Sequence, residues 1–170
     1  GTGLNQYYQR ATAMNKDELT ITKDGYWTYI QPANYQEPED WDKHGGKLMV
    51  FGDEEQVVFL AQRLVAGGII YPLKYAPPLA EMGYKTWALM VYCLDSERDR
   101  LWQILQHEGV SRKIWKYDLQ TLKDWEPNGR LAKRHRRGEL LQEVEPKPHP
   151  LIAPDYYDKP VAPETKELGK

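Results

Sequence analysis

The longest apolar run in this chain, Trp87-Ala88-Leu89-Met90-Val91-Tyr92-Cys93-Leu94, is eight residues, the length of a strand and far short of the roughly 20 residues a membrane-spanning helix needs. A core must therefore be assembled from short segments, and glycine, proline and capping residues mark where each one stops. Tyr26-Trp27-Thr28-Tyr29-Ile30 is aromatic and β-branched and reads as a first strand ending near Pro32. After a loop rich in Pro, Asn, Asp and Glu, Gly46-Lys47-Leu48-Met49-Val50-Phe51-Gly52 is a second strand. Asp53 and Gln56 form a capping pattern for an amphipathic helix on Val57, Leu60, Ala61, Leu64 and Val65, closed by Gly67-Gly68. Residues 69–76 form a third strand stopped by Pro77-Pro78, and residues 86–94 a fourth. Ser96 with Asp99 repeats the capping pattern before a helix that turns Leu101, Ile104 and Leu105 inward and ends at Gly109. Residues 111–117 supply a fifth strand, and a short helix is expected from Asp118 to Trp125.

This order predicts an α+β fold, with one mostly antiparallel sheet in β-βαβ-βαβ order and two helices on one face, a ferredoxin-like core extended by an N-terminal strand. Residues 1–24 are polar, weakly helical around Ala11 to Leu19, and read as a loosely attached arm. Residues 25–130 carry the single domain, and residues 131–170 a basic segment and a proline-rich tail from Pro146 that suits a protein partner. Hydrophobic residues at 41% and charged residues at 28% are ordinary globular usage, against wholesale disorder. Cys93 is the only cysteine, which excludes an internal disulfide and a multi-cysteine metal site and reads as a small buried hydrophobe. With no basic-then-apolar leader pattern, the expected location is the cytoplasm, without membrane attachment.

The net charge of −2 makes any anion site a local matter. Strand alternation puts Leu48 and Val50 on the helix-covered face and Lys47, Met49 and Phe51 on the other; Lys74 and Lys116 fall in the same phase in their own strands. Three lysines on an open sheet face can be solvated side chains. Beside Trp27, Tyr75 and Tyr92 they can also bind a phosphorylated ligand, charge coming from lysine and shape from the rings. Arg130, Lys133, Arg134, Arg136 and Arg137 form the densest positive run, read either as a solvated helix face balanced by Glu139, Glu143 and Glu145 or as a contact for RNA or DNA phosphates. The four histidines, His44, His107, His135 and His149, lack metal-ligand spacing, so no metal is expected. Gly45-Gly46-Lys47 enters a strand rather than a helix and is not a phosphate loop, and no nucleophile elbow is present.

Tyr26-Trp27-Thr28-Tyr29-Ile30, the Gly46-Lys47 strand, Leu73-Lys74-Tyr75, Val91-Tyr92 ahead of Asp95, Trp115-Lys116-Tyr117-Asp118 and Thr121 occur in that order. Between Tyr26 and about Arg130 the chain thereby resembles the phosphothreonine-lyase-domain family related to the basophilic-leukaemia-expressed proteins. That family is similar in fold to the messenger-RNA cap-binding initiation factor. The resemblance implies Lys47 as the base that removes the Cα proton of phosphothreonine, with Lys74 and Lys116 holding the phosphate. In the bacterial effector lyases a histidine acid lies two residues from the lysine, and here that position is Met49, which cannot donate a proton. Two tryptophans sandwich the base in the cap-binding factor, but Trp27, Trp41 and Trp125 do not align with them residue by residue, so cap recognition is not predicted. The expected function is a non-catalytic module that binds a phosphorylated ligand, nucleotide or RNA on the open sheet face without a cofactor. The alternatives are a β-eliminating lyase and a protein-interaction adaptor.

Overall fold

The structure is a computed structural model that describes residues 19–141. The stretch around Ala11, the glutamates Glu143 and Glu145, His149 and the proline-rich tail lie outside the described residues. Six strands, β1 (Leu19–Asp24), β2 (Trp27–Pro32), β3 (Gly45–Gly52), β4 (Leu73–Ala76), β5 (Trp87–Leu94) and β6 (Trp115–Tyr117), form one sheet in the order β1-β2-β4-β5-β3-β6. Every neighbouring pair is antiparallel. Among the described residues the α-helices are α1 (Trp41–His44), α2 (Glu54–Gly67), α3 (Arg98–His107), α4 (Asp118–Asp124) and α5 (Arg130–Arg136), and none of them is long and apolar enough to cross a membrane.

The cap expected for α2 is present. The Asp53 carboxylate accepts from the Gln56 backbone N–H at 2.8 Å, and the Gln56 side chain accepts from the Asp53 N–H at 3.0 Å, satisfying two of the amides a helix start leaves unpaired. The cap expected from Ser96 is absent. The chain enters α3 through a 3-10 turn at Asp95–Glu97, where no side chain caps the helix. Asp95 is occupied by the Tyr117 hydroxyl at 2.9 Å and by His44 at 3.1 Å, and Glu97 by Tyr71.

Val57, Leu60, Ala61 and Leu64 of α2 and Leu101, Trp102, Ile104 and Leu105 of α3 bury against Leu48, Leu73, Leu89, Val91 and Cys93. Ile30 and Trp115 close the two ends of this core. A smaller cluster of Met49, Ala88, Met90 and Ile114 lies on the opposite face, with Trp27, Phe51 and Tyr92 packed on it, as the alternation of strand side chains requires.

Further readings need correction, among them the fifth strand, which spans only Trp115–Tyr117 rather than residues 111–117. Residues 19–24, assigned to the polar arm, are an edge strand: Asp24 pairs with Trp27 around a two-residue Gly25-Tyr26 turn in which Gly25 takes φ +61, the left-handed conformation hairpin turns favour. The third strand begins only at Leu73, because Pro72 has no N–H for the ladder, although its carbonyl still accepts from Tyr92 at 3.2 Å. The face opposite α2 and α3 is also not open. The chain continues past residue 130 as α5, and Leu131 and Leu141 are both buried. Gly83 allows the closing turn, since at φ +74 a Cβ there would meet the Leu140 Cα at 2.7 Å.

Candidate functional site

A pocket of about 320 Å³ occupies this second face, at the lower end of the range for small-molecule sites. Met49, Phe51 and Met90 form its floor. Trp27, Lys47, Lys74 and Lys116 line it from the sheet, Tyr26 and Tyr84 from turns, and Thr121, Trp125 and Leu131 from α4, α5 and the turn between them.

Register brings the lysines together. Lys47 lies opposite Lys116 in the β3–β6 pair and opposite Tyr92 in the β3–β5 pair, while Lys74 pairs with Tyr29 and Met90. Lys47 and Lys116 are 6% and 3% exposed, and burial on that scale requires partners. Lys47 Nζ donates to Thr121 Oγ1 at 2.8 Å and to Asp118 Oδ1 at 3.3 Å. Both partners come from α4, which leaves β6 without a loop, so Asp118 and Thr121 stand one turn apart over Lys47. Asp118 Oδ2 also accepts from the Trp41 indole N–H at 2.8 Å. Lys116 pairs with Asp124 at 2.9 Å, and Arg130 reaches the same carboxylate at 2.9 Å.

Lys74 is held differently. Its Nζ lies 4.2 Å from the Trp27 ring centroid and 5.3 Å from that of Tyr29, whose hydroxyl is 3.3 Å away. Burial, then the neighbouring Lys47 charge, lowers its pKa from 10.5 to about 8. Burial also lowers the Lys47 pKa, with Lys116 adding to the effect and Asp118 opposing it. Tyr92 lies 5.6 Å from Lys47 Nζ, its hydroxyl pKa pushed up by burial.

Lys47, Lys74, Lys116 and Trp27 thus converge on one pocket, with Tyr92 beside it. Tyr75 does not join them: one residue out of phase with Lys74, it packs on the α2–α3 side of the sheet. The basic run also divides. Arg130 turns inward to Asp124, Arg134 donates to the Leu140 carbonyl, Arg137 pairs with Glu139 at 2.6 Å, and Lys133 and Arg136 are exposed. None of His44, His107 and His135 lines the pocket. Asp118, Thr121 and Asp124 were not singled out as site residues by the sequence reading; their acidic and hydroxyl spacing along a short helix after a lysine strand was the available signal.

A larger cavity of about 600 Å³ lies between α2 and residues 108–114. The Arg63–Glu108 ion pair occupies its wall, and Phe59, Val110 and Ile114 line it. It has no excess of cations comparable to the three lysines. Comparisons with protein-family models, curated proteins and solved structures each found no match.

Proposed function

We propose that this protein binds a small phosphorylated ligand carrying a flat ring, of the nucleotide class, in the pocket between the sheet and α4–α5. One observation carries the reading. Three lysines, Lys47, Lys74 and Lys116, line the pocket and, among the described residues, no carboxylate lines it with them, so the pocket wall is locally positive inside a chain of net charge −2. Trp27 and Trp125 supply aromatic rings to the lining, and a phosphate reaching Lys74 gives that ammonium a counter-ion where, among the described residues, it meets rings and a hydroxyl. The strand order β4-β5-β3-β6, with α2 and α3 as the crossovers, supports reading the core as ferredoxin-like, extended by the β1–β2 hairpin, and agrees with the resemblance to the cap-binding-factor fold.

Thermal unfolding with inorganic phosphate, nucleoside monophosphates and phosphothreonine tests this. A ligand at 100 times its Kd stabilises by about 2.7 kcal/mol, so at least one phosphorylated compound should raise Tm by several degrees, and Lys74→Gln should abolish the rise while the protein stays folded. No shift with any compound, or an undiminished one in Lys74→Gln, refutes the site.

A second reading, β-elimination from phosphothreonine, is favoured by the lowered basicity of Lys47 and Lys74, since a lysine must lose its proton before it can take another. Met49 lines the pocket at the acid position. Phosphothreonine peptides incubated with the protein would show loss of phosphoric acid by mass spectrometry if this reading held, and unchanged masses remove it.

A further inference from the structure

Lys74 differs from the other pocket lysines in what it touches. Lys47 and Lys116 each meet a carboxylate, whereas Lys74 Nζ meets the rings of Trp27 and Tyr29 and the Tyr29 hydroxyl. A lysine becomes nucleophilic when burial or a neighbouring cation displaces its proton, and both act here, burial first and Lys47 second. Asp118 on α4 and Asp24 on β1 oppose them through space, and the indole face also favours the ammonium. The balance leaves an amine that is part neutral near pH 8 at the wall of a ligand-sized pocket. Tyr29 completes the arrangement: burial raises its pKa, so its hydroxyl stays protonated 3.3 Å from the amine.

The geometry points to Lys74 as an imine-forming lysine that takes a small aldehyde or ketone bearing a phosphate or carboxylate, with Lys47 and Lys116 holding the anion. The Nζ lone pair bonds to the carbonyl carbon as the C=O π pair moves onto oxygen. A proton passes from nitrogen to that oxygen and gives a carbinolamine. The hydroxyl leaves as water with a proton from Tyr29, the nitrogen pair forms C=N, and the iminium proton returns to Tyr29. The inference rests on the anion-pocket reading for its second half, the hold on the ligand.

Pyridoxal 5′-phosphate is the probe, fixed by borohydride and mapped by peptide mass spectrometry. At neutral pH and substoichiometric probe, Lys74 should carry at least ~10-fold more label than Lys23, an exposed lysine on the edge strand, and Lys74→Arg should lose it. Label at Lys74 no greater than at Lys23 overturns the proposal. Pyridoxine 5′-phosphate, with the same ring and phosphate but no carbonyl, separates the two readings. If it binds while Lys74 stays unlabelled, the imine is wrong and the anion pocket stands; if it does not bind and Lys74 stays unlabelled, both fall.

Discussion

Lys74 costs the free protein stability, and the cost has a pH signature. Its folded pKa of about 8 lies below the ordinary 10.5. Below pH 8 both states are protonated and the full penalty applies; between pH 8 and 10.5 the unfolded chain binds more protons, so stability rises with pH; above 10.5 the penalty is gone. Replacing Lys74 by Met removes the penalty and also the indole contact, for a net gain on the order of 1–2 kcal/mol at pH 7. Urea denaturation at pH 7 and pH 10 should show that gain shrinking at the higher pH; a gain independent of pH contradicts the account. At this scale the sequence was informative because strand phase is local. Alternation alone put Lys47, Lys74 and Lys116 on one side, and applied one residue further it would also have sent Tyr75 to the other. The spacing of Asp118, Thr121 and Asp124 was visible, but not that they face Lys47 and Lys116, because the direction α4 takes on leaving β6 is set by tertiary packing.

Strand β3 opens with two glycines for reasons of space. A Cβ on Gly45 would fall inside the Trp41 indole, and one on Gly46 would meet the Trp115 ring and, at 2.7 Å, the Lys116 carbonyl. The two indoles press on opposite faces of the strand start, Trp115 in the α2–α3 core and Trp41 beside Asp118 and Tyr92. This close approach replaces the rejected phosphate loop as the explanation of the Gly45-Gly46 pair. Gly46→Ala should destabilise by about 2 kcal/mol or more through overpacking against backbone, measured as a fall in the urea midpoint; a change within a few tenths would show that the indole moves freely. Strand β1 was legible but missed: Gly25 at the first position of a two-residue loop between β-branched segments is a hairpin signal, masked by the polarity of Thr20, Thr22 and Lys23. The late start of β4 was legible in Pro72, whereas the shortness of β6 was not, since its apolar run begins before the residues that find a neighbour.

Over the whole molecule, α2 and α3 build one core while α4 and α5 turn the other sheet face into a pocket. The join depends on Asp124, 2% exposed at its side chain, which binds Lys116 of the sheet and Arg130 of α5 together. Asp124→Ala removes the carboxylate that Lys116 and Arg130 share, and removing one partner of a buried pair costs about 3 kcal/mol. Chemical denaturation should record a loss of that order, and a loss near zero would mean that Lys116 escapes to water. Whether a phosphate group is read in this pocket is decided by an amide NMR titration comparing adenosine 5′-monophosphate with adenosine. The account predicts phosphate-dependent shifts centred on Trp27, Lys47, Met49, Lys74, Met90 and Lys116. Equal responses to both compounds, or shifts confined to Lys133, Arg136 and Arg137 or to the cavity beside Phe59, would contradict it.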